Sequence, residues 1–215
     1  MSDNTFITTG ERKQALRNIY RYIAYLFFIA LLCQGMYWDA LPRSLNEQFS
    51  ESSFAEISQS IMLVLTLWLL WRVRQLGVYR HGVVLMFAFL LASLIREQDA
   101  LLDGVFDDLW QWLVALTLIP AVIYLVRFRL SILDECYRYM QQMSFGLFLS
   151  GFLTLYVFSR MIGRGIFWHA VLGSQYLYEI KAATEEGIET LGYALILLGI
   201  FEMWLWARRQ VRGAS

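Results

Sequence analysis

The stretch VVLMFAFLLASLIREQDALLDGVFDDLWQWLVALTLIPAVIYLV (residues 83–126) decides the fold, because it holds a charged segment between two apolar runs. The first run, residues 83–94, is interrupted only by Ser93, and the second, residues 109–126, contains no charged residue. A helix that crosses a bilayer needs about 20 mostly apolar residues. The stretch therefore predicts two successive membrane spans, joined by a segment that gathers charge at one membrane face.

The rest of the chain shows the same alternation of long apolar runs and short polar segments. Of its 215 residues, 58% are hydrophobic and only 17% are charged, whereas an average soluble domain has about 25% charged residues. We predict an all-α membrane protein, a bundle of six transmembrane helices. The third span begins near His81, and the other five cover residues 19–38, 54–71, 109–126, 143–158 and 186–206.

The polar segments divide the chain around this membrane domain. We predict a cytoplasmic N-terminal tail over residues 1–18, a transmembrane domain over residues 19–207 and a cytoplasmic C-terminal tail over residues 208–215. Residues 39–53 and 127–142 are predicted as polar loops. Within the longer connection 159–184, residues 166–181 predict an amphipathic helix at the membrane interface, because Trp168, Tyr176 and Tyr178 suit that level of the bilayer.

The basic residues orient the bundle. With six crossings and a cytoplasmic N-terminus, 13 of the 18 basic residues fall on the cytoplasmic side and 13 of the 18 acidic residues fall on the outer side. This asymmetry follows the positive-inside rule and predicts that both termini are cytoplasmic. The predicted partner is the lipid bilayer. Because the basic and acidic charges cancel, the net charge gives no reason to expect a nucleic-acid partner. No feature of the sequence identifies a protein partner.

Charged residues from three predicted helices reach one level near the outer face. With a rise of about 1.5 Å per residue, Arg96 and Glu97 lie roughly 8 Å below the outer interface. A charge that faces lipid at depth costs about 2.5–3.5 kcal/mol, so these groups are expected to face inward or to pair. Helical spacing places Arg96 on one face with Asp99, its expected counter-ion, and with Asp103. The candidate lining residues of an outer-face pocket are Glu56, Arg96, Glu97, Asp99, Asp103 and Glu189.

The carboxylates also suggest a metal site. Two histidines and no cluster of cysteines make a zinc site weak, whereas a carboxylate-rich site suits a divalent cation such as Mg²⁺, Mn²⁺ or Ca²⁺. The candidate ligands are Asp99, Asp103, His169, Glu185 and Glu189.

Several of these residues have structural interpretations beside the functional ones. The cluster from Arg96 to Asp103 is equally explained by an ion-pair network that fixes helix packing. Glu185 and Glu186 fit the first turn of a helix capped by Thr184, where acids complement the helix dipole. Glu202, inside the last span, is expected to pair with a basic residue or a tyrosine hydroxyl.

Two segments carry a family resemblance. They are IREQDALLD at residues 95–103 and EEGIETLGYA at residues 185–194. Together they resemble a set of uncharacterised bacterial inner-membrane proteins with an Arg-Glu-x-Asp helix end and a late Glu-Glu-Gly-x-Glu-x-x-Gly-Tyr helix. The resemblance implies a bacterial multi-pass protein and brings no known activity.

Three functions fit these observations. The leading hypothesis is a membrane protein that binds, and in one version transports, a cation or polar ligand at the acidic outer-face pocket. The second is a membrane-embedded, metal-dependent enzyme that acts on a lipid through the same carboxylates and His169. The third is a non-catalytic assembly or accessory protein whose charges organise the fold. The sequence leaves open whether any reaction is catalysed.

Overall fold

The computed structural model describes residues 8–40 and 53–213, and within these ranges it is all-helical with no strand. The all-α prediction is therefore confirmed for the described chain. The helices, in chain order, are α1 (Thr9–Ala40), α2 (Phe54–Gln75), α3 (Gly82–Glu97), α4 (Asp99–Asp103), α5 (Leu109–Arg127), α6 (Arg129–Met140), α7 (Met143–Leu153), α8 (Ser159–Ile162), α9 (Gly165–Leu172) and α10 (Tyr178–Gly213). A π-helical segment, Thr154–Phe158, joins α7 to α8, and a 3₁₀ turn, Gly173–Gln175, follows α9.

Five helical stretches of the described chain are long and apolar enough to cross a membrane. They are α1, α2, α5, the continuous stretch from α7 to α8, and α10. Helix α3 is also strongly apolar, but its 16 residues make it the shortest of the long helices, about 24 Å at 1.5 Å per residue. Length and composition alone thus support five spans, one fewer than predicted.

Helix α10 lies at the centre of the bundle, where it packs against α2 and α7. Its inward face includes Tyr193, Ile196 and Ile200, which are at most 2% exposed. Helix α3 packs between α2 and α5, while α1 lies at the edge, on α2 and α10. Successive long helices alternate in direction, so the bundle has two distinct ends.

We name the two ends by the charged residues that distinguish them. The acidic end holds the C-terminal end of α3 and the first turns of α10, with Glu97, Glu186 and Glu189. The arginine end holds the C-terminal ends of α2 and α10, with arginines such as Arg74 and Arg208. The charged residues are therefore sorted between the two ends of one helical bundle.

Glycines allow α7 and α10 to approach closely. A Cβ atom added to Gly151 would lie 2.7 Å from the Gly192 carbonyl oxygen and 2.7 Å from the Ile196 amide nitrogen. A Cβ added to Gly199 would lie 2.7 Å from the amide nitrogen of Phe148. Small residues at such crossings are typical of membrane helices, which associate largely through backbone approach and van der Waals packing. This contact fixes α7 against the middle of α10.

The π-helical segment Thr154–Phe158 changes which residues of the fifth long stretch face α10. A π turn accommodates more residues than an α turn, so it shifts the facing of every residue that follows. Leu155 within the segment and Ser159 just after it are both buried, at 1% and 0% exposure. The segment therefore directs the start of α8 toward the interior of the bundle.

Helix α6 replaces the polar loop that the sequence predicted over residues 127–142. One reason is visible in the buried Glu135, which is 7% exposed. Its carboxylate accepts hydrogen bonds from the backbone N–H of His81 (2.9 Å) and of Gly82 (2.6 Å). These N–H groups belong to the start of α3, which has no partner for them in its own helix. A carboxylate there also complements the helix dipole, so Glu135 caps α3 from a neighbouring helix.

At three places near the termini and the last span, the helices do not begin or end where the predicted segments do. Helix α1 begins at Thr9, within the predicted tail, and α10 continues to Gly213, through most of the predicted C-terminal tail. The predicted interfacial helix over residues 166–181 is interrupted, because α9 ends at Leu172 and Lys181 belongs to α10. Most of the predicted loop 39–53 lies outside the described residues. Its first residue, Asp39, belongs to α1, and its last, Ser53, is the N-cap of α2.

Candidate functional site

The first polar group at the acidic end joins α3 to α10. Arg96 forms an ion pair with Glu97 at 2.7 Å, and the Tyr193 hydroxyl donates a hydrogen bond to the same Glu97 oxygen at 2.8 Å. Because Tyr193 is only 2% exposed, its hydroxyl needs a partner in the interior. The Glu97 carboxylate supplies that partner and thereby ties the end of α3 to the middle of the central helix.

The second polar group is centred on Arg160 in α8. Its guanidinium lies 3.1 Å from Glu189 and 3.9 Å from Glu185, both in α10. The buried Ser159 hydroxyl donates to the same Glu189 oxygen at 2.9 Å, and Lys181 pairs with Glu185 at 2.8 Å. Glu189 is 8% exposed, and a carboxylate this deeply buried is stable only with such partners. The group is a charge-balanced network between α8 and α10.

The third polar group contains Glu186 and faces α2. The Gln59 amide, 2% exposed, donates to the Thr190 hydroxyl at 3.0 Å and to the backbone carbonyl of Glu186 at 3.4 Å. The Glu186 Oε2 atom is buried, and it has no hydrogen-bond partner within residues 8–40 and 53–213. The two charges that act most strongly on this carboxylate are those of Glu56 and Asp39, both negative. Glu186 thus has a buried carboxylate oxygen exposed to like charge.

Helical spacing in α10 explains why the polar groups divide between two faces of this helix. Glu185, Glu189 and Tyr193 are spaced four residues apart, so they follow one face of the helix, toward α8 and α3. Glu186 and Thr190 are spaced in the same way on the neighbouring face, toward α2. The Glu-Glu pair at residues 185–186 therefore sends one carboxylate to each side of the central helix.

The structure brings some of the predicted pocket residues together. Arg96 and Glu97 are among the charges that act on Glu189, so these three belong to one electrostatic environment. Glu56 acts on Glu186 on the other face of α10. The predicted convergence of α2, α3 and α10 at this end is thus found, but it is divided between two faces of α10 instead of lining one pocket.

Within the described helices, Arg96 is not paired with Asp99, and the predicted common face of Arg96, Asp99 and Asp103 is not formed. Helix α3 ends at Glu97, and Gln98, with backbone angles outside the helical region (φ −107°, ψ 20°), separates it from α4. The break removes the common helical face that spacing had predicted for Arg96, Asp99 and Asp103. Arg96 pairs with Glu97 instead, while Asp99 accepts a hydrogen bond from the backbone N–H of Ala100. Both aspartates are exposed.

The five candidate metal ligands do not form a metal centre. Within the described part of the chain, no group of three or more His, Cys, Asp or Glu side chains is arranged to hold a metal ion. His169 is exposed in α9, and its ring lies 4.0 Å from the Tyr176 ring, centroid to centroid. Glu185 and Glu189 instead share Arg160.

Sequence reasoning gave Glu186 the wrong environment. Thr184 does not cap the last span, because α10 begins at Tyr178 and the Thr184 hydroxyl donates to the Ile180 carbonyl within the helix at 2.7 Å. Glu185 and Glu186 therefore lie in the body of a helix and not in its first turn. Arg160 and Ser159 were also missed, since residues 159–184 were interpreted as a connection. The four-residue spacing from Glu185 to Tyr193 was the signal that pointed to them.

At the arginine end, the prediction for Glu202 is confirmed in both of its forms. Its carboxylate pairs with Arg21 at 2.7 Å and accepts a hydrogen bond from the Tyr25 hydroxyl at 2.7 Å.

Outside the long helices, Tyr79 and Tyr139 pack their rings 5.7 Å apart. Burial raises the pKa of both phenols, so they remain neutral hydrogen-bonding groups.

Comparison with protein-family models, with curated proteins and with solved structures finds no match for this chain. The resemblance to bacterial inner-membrane proteins therefore stays a prediction.

Proposed function

We propose that the chain is a six-span protein of a bacterial inner membrane with both termini in the cytoplasm. In this arrangement α3 supplies the sixth crossing. The alternating direction of α1, α2, α3, α5, α7 and α10 supports it, as do the arginines at one end of the bundle and the carboxylates at the other. By the positive-inside rule, the arginine end is cytoplasmic and the acidic end faces outward.

We further propose that the protein binds a small cation at the acidic end, at the Glu186 carboxylate. The observation that carries the proposal is the buried Glu186 Oε2 atom, which lacks a hydrogen-bond partner in the described structure. A buried polar atom left unsatisfied costs about 1–3 kcal/mol, and more when it is charged. A proton or a metal cation bound to this oxygen removes that cost.

The surroundings of Glu186 favour a cation over other ligands. The charges of Glu56 and Asp39 act on the Glu186 carboxylate, and like charge disfavours an anionic ligand at this position. The charge-balanced group around Arg160 lies on the neighbouring face and supports the helix without competing for the ligand. Ionisable residues within membrane helices commonly mark such ion or proton sites.

The alternatives have weaker support from this geometry. A metal-dependent enzyme needs three or more ligands around one position, and the described residues form no such group. A purely structural role explains the paired carboxylates of Glu97 and Glu189 well, but it does not explain an unsatisfied oxygen on Glu186. The accessory role therefore becomes an outcome of the experiment.

The test is a cation titration of the purified protein in detergent micelles. Thermal unfolding is recorded for wild type, Glu186→Gln and Asp103→Asn while H⁺, Na⁺, K⁺, Mg²⁺ and Ca²⁺ are varied singly at constant ionic strength. A bound cation stabilises by about 2.7 kcal/mol at a hundred times its Kd, so a saturable rise in the unfolding midpoint is expected with one of them.

Glu186→Gln should abolish the rise, because the amide carries no charge. The exposed Asp103→Asn, at the same end, should retain it. If no cation gives a saturable rise, or if Glu186→Gln responds like wild type, cation binding at Glu186 is ruled out and the accessory role is favoured.

A further inference from the structure

A pocket at the arginine end is rich in positive charge. It has a volume of about 640 Å³ and lies between the first half of α1 and the last turns of α10. Tyr25 and Phe201 form part of its wall. Five of the nine residues that line it are arginines, namely Arg17, Arg21, Arg208, Arg209 and Arg212. Such a concentration of guanidinium groups favours an anionic ligand, with phosphate oxygens as the best geometric match.

The local carboxylate and the helix dipole do not account for this concentration. Glu202 pairs with Arg21, which leaves Arg17, Arg208 and Arg209 as further cationic groups of the pocket. Arginines in the last turns of α10 complement the negative end of its dipole. The same explanation fails for Arg17 and Arg21, because the end of α1 that lies here is its N-terminal, positive end.

An apolar groove continues from this basic pocket toward the middle of the bundle. The groove has a volume of about 450 Å³ and is lined by side chains of α1, α2 and α10, including Phe28, Leu65 and Leu197. Tyr25 and Phe201 line both the groove and the basic pocket, so the two spaces adjoin. From Arg17 to Phe28 the distance along α1 is roughly 16 Å. The combined site is therefore charged at one end and apolar for the length of several helical turns.

The weak packing of α1 leaves room for a ligand here. Among the α1 residues whose burial is described, the buried ones are Leu32, Gly35 and Asp39, all in the half that approaches the acidic end. In the other half, α1 meets α10 through the contacts of Arg21 and Tyr25 with Glu202. The groove beside these contacts is bounded by helices but not filled by side chains.

We propose that this composite site binds one anionic phospholipid, with its phosphate among the arginines and an acyl chain in the apolar groove. Basic pockets between membrane helices on the cytoplasmic side are suited to anionic headgroups. Arg208 is held over the Trp204 ring at 4.6 Å, and Trp204 lines the groove, so one pair of side chains serves both parts of the site. The lipid fastens the loosely packed half of α1 to the central helix.

Native mass spectrometry of the purified, delipidated full chain tests the proposal. Phosphatidylglycerol is the anionic probe, phosphatidylcholine the zwitterionic one, and glycerol phosphate and inorganic phosphate report on a soluble ligand of the same chemistry. We expect one bound phosphatidylglycerol, with an affinity at least about tenfold above that for phosphatidylcholine, equivalent to about 1.4 kcal/mol. We expect no displacement by either soluble phosphate at equal concentration.

Three variants distinguish the contribution of the arginine charges from that of the open volume of the groove. Arg208→Gln with Arg209→Gln removes two headgroup contacts and should lower phosphatidylglycerol affinity about tenfold or more. Leu65→Trp, at a site that is 45% exposed, fills the groove without changing charge and should lower affinity for both lipids. Arg80→Gln with Arg138→Gln removes two exposed charges at the same end, outside both cavities, and should bind like wild type.

Each other outcome overturns the proposal. Equal binding of the two lipids removes the role of the arginines, and displacement by glycerol phosphate or inorganic phosphate assigns the site to a soluble anion. An equal loss in both double arginine variants shows nonspecific charge attraction. Unchanged binding in Leu65→Trp, with the variant monodisperse by size-exclusion chromatography, removes the acyl chain from the groove.

Discussion

The two ends of the bundle differ in one buried carboxylate. At the arginine end, Glu135 is satisfied by two backbone N–H groups of α3, and Glu202 by Arg21 and Tyr25. At the acidic end, Glu186 has a buried oxygen without a hydrogen-bond partner in the described chain. Burial of charge is common to both ends and therefore does not identify a site. The useful distinction is whether the buried group's hydrogen bonds are completed by the protein itself.

The largest expected effect comes from breaking the close approach of α7 and α10 between the two ends of the bundle. Gly151→Leu forces a side chain into the backbone of α10, where a Cβ already meets two backbone atoms at 2.7 Å. Overpacking costs typically 1–3 kcal/mol, and rigid backbone on both sides places this substitution at about 3 kcal/mol or more. Equilibrium unfolding in mixed micelles measures the loss.

The matched control for this substitution lies in the same helix. Gly146→Leu adds the same side chain at a position where a Cβ meets nothing within 4 Å. It should be neutral or stabilising by about 0.5–1 kcal/mol, because glycine is unfavourable in a helix. Equal destabilisation by both variants would contradict the close approach of α7 and α10.

An intermediate effect is expected from breaking the best-satisfied carboxylate of the arginine end. Glu135→Ala leaves the buried N–H groups of His81 and Gly82 without their acceptor, which should cost about 2 kcal/mol. Glu135→Gln retains one carbonyl oxygen and should recover part of the loss. Urea unfolding of the three proteins gives the comparison, and an Ala variant as stable as wild type would show that Glu135 does not cap α3.

The smallest effect sharpens the comparison within the acidic end. Tyr193→Phe removes one hydrogen bond to Glu97, whose carboxylate keeps its ion pair with Arg96. We expect a loss of about 1 kcal/mol, since one of two partners remains. Cation response at Glu186, on the other face of α10, should be unchanged in the same thermal titration. A changed cation response would mean that the two faces of α10 form one site.

The long apolar runs were predictable as helices because, in an apolar medium, the backbone N–H and C=O groups of each run must form hydrogen bonds within the run itself. The predicted spans at residues 54–71 and 109–126 match α2 and α5 within a few residues. Amphipathic α6 was missed because its stability comes from tertiary contacts such as that of Glu135 with α3, which local composition does not contain.

The break at Gln98 was invisible for a related reason. No glycine or proline marks it, and the Gln98 side chain donates a hydrogen bond to the Ser60 hydroxyl of α2 at 2.8 Å, a tertiary contact that local sequence does not contain. As a result, the position of Arg96 and Glu97 near one end of the bundle was predictable from the sequence. The side to which the Asp99 and Asp103 side chains face was not. The environment of Glu186 depended on where α10 begins. One predicted helix ended at residue 181 and the next began at residue 186, whereas the structure has one continuous helix from Tyr178.

The π-helical segment Thr154–Phe158 has a consequence for how the Arg160 network can originate or disappear. One residue corresponds to about 100° of rotation around an α-helix. Removing a single residue from the segment would straighten the helix and turn Ser159 and Arg160 away from Glu189 by about that angle. One in-frame codon thus separates a chain with this network from a chain without it, although every charged residue is present in both.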